Sequence, residues 1–369
     1  MPPRVVLVLF IVLAAPGQIV SRAQTATESQ TGVDIYRAAC AACHGADGRG
    51  APKSVVGFDI ELPDFTDCGF TSPEADADWF AVVHDGGTVR RFSSMMPAFG
   101  AALSESQISL VVGHLRTFCR EPGWPRGDLN LPRPLVTEKA FPENEAVLTT
   151  TISRSGGKSV GNEFLYERRI GKRGQYEIIV PLQIREHETG GWRRGLGDVA
   201  VGYKHALFDS IARGWIVSAG GEIVLPTGKE TEGLGGGETI VEPFGTFSQV
   251  LPHDMFLHVH AGLERPLGVD GARTESFWRA AFGKTLFEGR WNRSWSPMFE
   301  VLGAREHAPG ERALWDVVPQ VQVSLSRRQH VLLNAGVRIP VNERSTTRGN
   351  AGMVYLLWDW FDGGLFTGW

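Results

Sequence analysis

From residue 146 to the end of the chain, apolar and polar side chains alternate, and this period of two constrains the fold more than any other feature. Residues i, i+2 and i+4 share a face only in an extended strand, so a chain that alternates over most of its length is committed to sheet. In residues 176–185 one parity holds Tyr176, Ile178, Val180, Leu182 and Ile184, and the other holds Glu177, Gln183 and Arg185. In 255–264 the apolar set is Met255, Leu257, Val259, Ala261 and Leu263, opposed by His258, His260, Gly262 and Glu264. The pattern predicts about twelve strands, at 147–154, 162–170, 174–186, 197–208, 213–225, 239–250, 255–265, 274–287, 296–306, 314–326, 329–341 and 349–360. Segments of about ten residues match tilted strands that cross a bilayer. Some connectors are short, as at Gly171–Arg173 and Arg327–Arg328, and others are long and Gly-rich, as at 227–238. That asymmetry and the even count predict an antiparallel transmembrane β-barrel over 146–369. A soluble sandwich or a large soluble barrel would alternate too, and parity alone does not say which face points outward.

The chain begins as an exported protein does. Arg4 precedes the apolar run Val5–Ala15, then Pro16-Gly17 and Ser21-Arg22-Ala23. This predicts a signal peptide over 1–23 and an oxidising destination. With 42% hydrophobic and 21% charged residues the chain is not a disordered one. A formal charge of −4 without basic clusters argues against nucleic acid as a partner. Nine of the 11 Trp lie from Trp192 onward, while all four Cys lie before residue 120. Two different materials are joined end to end.

The early part, 30–120, carries Cys40-Ala41-Ala42-Cys43-His44. C-x-x-C-H is the attachment spacing of a c-type haem: two thiols take the porphyrin vinyl groups, and the adjacent imidazole meets the iron. A thioredoxin-like pair or half a zinc site would not require the following His. One such motif predicts one covalent haem c. Its second axial ligand is expected from Met96, or less favourably Met95, in Ser93-Ser94-Met95-Met96-Pro97. His84 and His114 read as ordinary helix residues. Cys68 and Cys119 remain as a candidate disulfide, with two separate thiols as the alternative. Helices are expected over Val33–Ala42 and Pro73–Val83. A third opens near Leu103, with Ser104 as N-cap and Gln107 completing a capping box, and Ile108, Val111, Val112, Leu115 and Phe118 follow at helical spacing.

These residues resemble the class I monohaem cytochrome c family. The likeness runs through Ile35-Tyr36, the loop Cys43–Gly50, Met96–Phe99 and the helix Leu103–Leu115. It implies a small all-α fold with His44 and Met96 as axial ligands. The later region resembles the outer-membrane family linked to the meta-pathway of phenol degradation and similar transporter-like porins. Here the matching residues are Gly195–Val199, Lys204 and Gly221–Gly228, and Trp369 supplies the terminal aromatic typical of bacterial outer-membrane proteins. The layout is similar to the cytochrome–porin fusions that carry electrons across the outer membrane of iron-oxidising bacteria.

Between the two parts, 121–145 is proline-rich (Pro122, Pro125, Pro132, Pro134, Pro142) and predicts an extended, semi-stiff linker. An even strand count returns both barrel ends to the periplasmic side. A twelve-stranded barrel has a backbone radius of roughly 12 Å, and a domain of ninety residues is about 30 Å across. The cytochrome is therefore expected to cap the periplasmic mouth rather than enter it. The expected function is electron transfer between a small diffusible donor or acceptor in the lumen or outside, ferrous iron being one choice, and a periplasmic carrier. The chain is read as an electron carrier rather than an enzyme, with ferrous-iron oxidation left open. The alternative is a porin for small organic solutes with an appended cytochrome. A peroxidase is disfavoured, because a Met ligand closes the sixth position. Glu177, Asp198, Glu222, His258, His260 and Glu264 fall on the polar parity, to pass a cation or merely to wet the lumen.

Overall fold

A computed structural model describes residues 30–359 except 58, 156–157, 188–189, 269–272, 289–292 and 346–347. The signal peptide expected at 1–23 and the terminal Trp369 lie outside the described residues.

The N-terminal domain is helical: α1 (Gly32–Ala39), α2 (Ala41–His44), α3 (Lys53–Val56), α4 (Cys68–Thr71), α5 (Asp76–Asp85) and α6 (Glu105–Leu115). Capping sets where the two main packing helices start. Thr31 and Asp34 form a capping box at α1, and Ser104 and Gln107 form the expected one at α6. Gly32 lets the two helices touch, because a Cβ there would stand 2.1 Å from the Leu110 carbonyl oxygen. Ile35 and Tyr36 of α1 pack with Val111 and Leu115 of α6 and with Phe65. The helix expected over Val33–Ala42 is split at Cys40, which caps the separate turn α2. The second expected helix starts at Asp76, after Pro73, and runs on to Asp85. Phe118 lies beyond α6, where its ring packs on Tyr36.

The C-terminal domain is a closed antiparallel barrel. Its strands are β1 (Glu145–Ser153), β2 (Ser159–Ile170), β3 (Gly174–Glu186), β4 (Trp192–Leu196), β5 (Val199–Ser210), β6 (Trp215–Leu225) and β7 (Thr239–Leu251). They continue with β8 (Met255–Leu267), β9 (Glu275–Lys284), β10 (Leu286–Glu288), β11 (Arg293–Glu306), β12 (Leu314–Ser324), β13 (Val331–Pro340) and β14 (Ala351–Asp359). Neighbours in sequence pair, β1 pairs β14, and β9 pairs β11 to close the ring. β4 and β5 are two halves of one stave, both paired to β3. β10 likewise extends the β9 stave along β11. The wall therefore has twelve staves. The fourth was expected to start at 197 but starts at Trp192. Gly197-Asp198, expected to open the strand, instead interrupts the stave: the Gly197 N–H is held by the Pro181 carbonyl at 2.8 Å.

Parity resolves as a membrane barrel requires. The apolar set faces out: Leu182 is 52% exposed and Phe282 48%. The polar set faces in: Glu300, His258 and Asn334 are fully buried. The strands pair in a closed ring, and the outer surface is apolar. Among the described residues no helix is long and apolar enough to cross a membrane. One end carries the start of β1, the end of β14 and the short turns 171–173, 211–214, 252–254 and 325–330. The helical domain sits against this end. Loops at the other end are longer, as at 226–238 and 341–350.

The proline-rich segment 121–145 corrects the linker expectation. Instead of spacing the domains through solvent, it enters the lumen and returns to start β1. Gly127 seats it on the helical domain: its N–H donates to the Ser72 carbonyl at 2.7 Å, and a Cβ would meet the Pro73 carbonyl oxygen at 1.8 Å. Arg126 pairs with Asp76 (2.5 Å) and Asp128 (2.8 Å), and Arg116 reaches the same Asp76 at 2.8 Å. Farther on, Leu135, Thr137, Ala140 and Phe141 are buried. Proline does keep this stretch extended, as its composition implies. Its free backbone groups are met by inward-facing side chains rather than by water.

Candidate haem centre

The first half of the site is built by α1 and α2. The Tyr36 hydroxyl, at the end of a buried ring, donates to the Gly45 carbonyl at 2.7 Å and so ties α1 to the far side of the motif. Cys40 caps the single turn α2, and Cys43 and His44 lie on it. Gly45, at φ 74°, then turns the chain away in a conformation that favours glycine. The Ala51 N–H to the Cys43 carbonyl (2.7 Å) and the Gly50 N–H to the His44 carbonyl (2.9 Å) fix the loop behind. The His44 ring stacks on Phe65 at 5.1 Å, and its Nδ1 is buried with no hydrogen-bond partner. Burial lowers the imidazole's pKa and keeps it neutral, the state a metal ligand needs. Burial, with the Cys43 thiol beside it, pushes the Cys40 thiol up to about 11. A raised thiol is the opposite of an activated redox nucleophile.

The second half comes from the loop before α6. Met96 packs against a cluster of Val83, Ile108 and Val112. Its carbonyl accepts from the Gly87 N–H at 3.0 Å, and its own N–H donates to the Ser93 carbonyl at 3.2 Å. Met95 beside it is 53% exposed. Cys40, Cys43, His44, Met95 and Met96 all line one cavity of about 640 Å³, walled by Phe65, Trp79, Val83, Val111 and Leu115. The volume is within the range of cofactor pockets, and the walls are apolar. Two thiols, a neutral imidazole and a thioether on an apolar cavity fit a covalent haem. Cys68 and Cys119 form a disulfide with Cα atoms 5.1 Å apart, joining α4 to the turn after α6. His84 sits in the last turn of α5, 2.7 Å from Asp85, and His114 packs edge-on to Tyr36. Neither lines the cavity.

Residues 27–115 match the sequence profile of the family described as cytochrome C oxidase, cbb3-type, subunit III. Residues 27–115 form a cytochrome c domain. Such a domain carries covalent haem c. The barrel is similar in fold to an outer membrane channel from Pseudomonas putida F1 (TM-score 0.45, 11% identity, 62% of this chain and 100% of that one). It is also similar to the NanC porin (TM-score 0.43, 9% identity, 58% of this chain and 100% of that one). The KdgM porin is a third (TM-score 0.39, 8% identity, 58% of this chain and 99% of that one). No curated protein matches the chain significantly by sequence.

One wall of the cytochrome cavity comes from the barrel. Arg328 and His330, on the turn between β12 and β13, line it with the helical residues. This contribution escaped the sequence reading, in which Arg327–Arg328 was only a short connector. A second cavity of about 570 Å³ lies on the other side of that wall, at the barrel mouth, and shares Glu74, Asp78, Arg328 and His330 with the first.

Inside the barrel, the polar parity holds the entering segment rather than an open channel. The Glu300 carboxylate accepts from the backbone N–H groups of Leu135 (2.9 Å), Val136 (3.2 Å) and Thr137 (2.7 Å). Arg133 pairs with Glu145 (2.6 Å), Glu167 (2.9 Å) and Glu138 (3.1 Å). Its carbonyl accepts from the Tyr355 hydroxyl at 2.6 Å. Lys204 reaches the Glu138 carboxylate and the Lys139 carbonyl. His258 Nε2 contacts the Pro132 carbonyl at 3.1 Å, and His260 Nδ1 accepts from the Glu138 N–H at 3.3 Å. Glu177 is buried beside Gln175. Asp198 instead ties the long loop, accepting from the Gly228 (2.9 Å) and Gly236 (2.6 Å) N–H groups. Glu222 and Glu264 are half-buried. Beyond the plug, a third cavity of about 390 Å³ is lined by Leu135, Val136, Glu163, Arg279 and Arg338.

Proposed function

We propose that this is an outer-membrane electron-transfer protein with one haem c, held at the periplasmic mouth of a plugged barrel. In this reading Cys40 and Cys43 form the thioethers, His44 is the proximal ligand and Met96 the distal one, with Met95 too exposed to compete. The bound haem supplies a reversible one-electron couple. Tyr36 and Gly45 hold the motif's turn, Gly87 holds the Met96 backbone, and the apolar walls keep water from the iron. The periplasmic orientation is supported by the short turns at the cytochrome's end, since periplasmic turns of such barrels are the short ones.

The observation that carries the reading is that the cytochrome cavity abuts the barrel mouth across a shared wall. An appended carrier serving an unrelated pore would have no reason to seat its cofactor there. We place the electron exchange between a small diffusible redox donor or acceptor, with ferrous ion as the first probe, and a periplasmic electron carrier. A solute porin requires an open lumen, and the hydrogen-bonded plug weighs against it.

The test is haem reduction in proteoliposomes whose outer leaflet presents the long loops. Ferrous ion added outside should reduce the haem, read from its absorption bands, and the reduced spectrum should report Met ligation. If no external small donor reduces it while the detergent-solubilised protein is reduced readily, the transmembrane reading falls and a wholly periplasmic couple remains. Met96→Ala should free the sixth position and bring peroxide turnover. Unaltered ligation in that variant would shift the role to Met95.

A further inference from the structure

The wall shared by the two domains carries more charge than an apolar cofactor cavity requires. A porphyrin of this class bears two carboxylates, and a carboxylate at an apolar cavity needs a positive partner. On the cytochrome side, Arg90 is 2% exposed and its Nε is held by Asp78 at 2.8 Å. Glu74 and Asp78 on the same side add negative charge. Arg91 of the cytochrome also lines the cavity, and the barrel adds a further cation from the opposite wall. The Arg328 guanidinium lies 4.5 Å above the Phe92 ring, which places a cation at the cavity rim. The next two residues fix the turn that carries it. Gln329 reaches Asp78 at 3.5 Å, and His330 stands between Glu74 (3.4 Å) and Asp359 (3.3 Å). Three successive residues of one barrel turn thus engage the cytochrome, and two of them line its cavity.

We propose that the β12–β13 turn is part of the haem site, with Arg328 pairing a haem carboxylate, so that the seating of the cytochrome on the barrel sets its potential. This rests on the reading that Cys40, Cys43 and His44 carry the haem. Arg328 is then a positioning and tuning residue, not an iron ligand. A positive charge near the iron disfavours the oxidised, more positive state, so its removal favours oxidation. A unit charge about 10 Å away, in a medium of effective dielectric about 20, changes such an equilibrium roughly tenfold.

The experiment is a spectroelectrochemical titration of the full chain in detergent. Arg328→Gln should lower the midpoint by about a tenfold change in the oxidised-to-reduced ratio, ~59 mV for one electron. Arg328→Lys keeps the charge and should recover most of the shift. Arg327→Gln removes a neighbouring exposed charge outside the cavity wall and should move the midpoint much less. A native haem spectrum in Arg328→Gln with the wild-type midpoint overturns the proposal, as does an equal shift in Arg327→Gln. Wild-type protein without covalent haem would overturn the underlying reading instead, and the two failures are told apart by the spectrum.

Discussion

Replacing Glu300 with alanine withdraws one carboxylate from three backbone amides at once. In the native protein it accepts from the N–H groups of Leu135, Val136 and Thr137 at 2.7–3.2 Å, and from the Thr137 hydroxyl. Glu300 is fully buried, and Leu135 and Thr137 are buried too. The Leu135 N–H also reaches the Gln320 Oε1 at 3.0 Å, so it keeps one partner. The Gln320 Nε2, which also donates to Glu300, keeps the Val318 carbonyl at 3.5 Å. Two amides and a hydroxyl then lose theirs, at about 1–3 kcal/mol each when buried. Water entering the space left by the side chain offsets part of this, so the low end, about 3 kcal/mol, is expected. Each 1.4 kcal/mol is roughly a factor of ten in population, so plug release should become about a hundredfold more frequent. Hydrogen exchange reads this directly: the amides of 135–137 should exchange about a hundredfold faster, and planar-bilayer recordings should show more frequent openings than the native protein. Glu300→Gln keeps the shape and one good acceptor and should show a smaller effect. The haem spectrum should stay unchanged, because Glu300 does not touch the cytochrome cavity. Unaltered exchange at 135–137 in Glu300→Ala would refute the claim that the inward carboxylates hold the plug.

Three further outcomes follow from other contacts. Replacing both Cys68 and Cys119 with serine opens a loop of sequence separation 51. It should destabilise the cytochrome domain by up to about 4 kcal/mol on the chain-entropy scale, read as a lower melting midpoint. Gly127→Ala drives a Cβ against the Pro73 carbonyl and should loosen the seating of the two domains, read as faster proteolysis within 121–130. Asp76 is pulled in two directions: burial raises its pKa, but Arg116 and Arg126 outweigh this and hold it below the usual carboxylate range. A carboxylate depressed in the folded state adds stability above its unfolded pKa and loses it as pH falls through the folded one. The wild type should therefore lose melting temperature below about pH 4. Asp76→Asn should be less stable at neutral pH and show a flatter acid limb, and an equally steep limb would remove Asp76 as its cause.

Much of the molecule is legible in its sequence. Strands expected at 174–186, 239–250 and 255–265 end within two residues of those observed, because the alternation of Ile178, Leu182 and Val259 with their polar neighbours is a local property of the pleat. The Ser104–Gln107 box marked the start of α6 for the same reason: its bonds span three residues. The motif Cys40–His44 carries its chemistry in five consecutive residues. Other features depend on partners far along the chain and leave no periodic mark. Arg133 meets Glu167, and Leu135 meets Glu300.

The sequence by itself thus determined the period of each domain, the number of staves and the haem attachment motif, since each is written in residues near one another. Only the tertiary structure decided which strand face points outward, because parity is symmetric until one side is enclosed. It also decided that the proline-rich segment fills the lumen. Backbone groups of an extended segment need hydrogen-bond partners in either setting, and its composition reads the same whether water or Glu300 supplies them. The third such decision was the cavity wall, where closing the barrel brings Arg328 and His330 against Phe92 and Glu74 across most of the length of the chain.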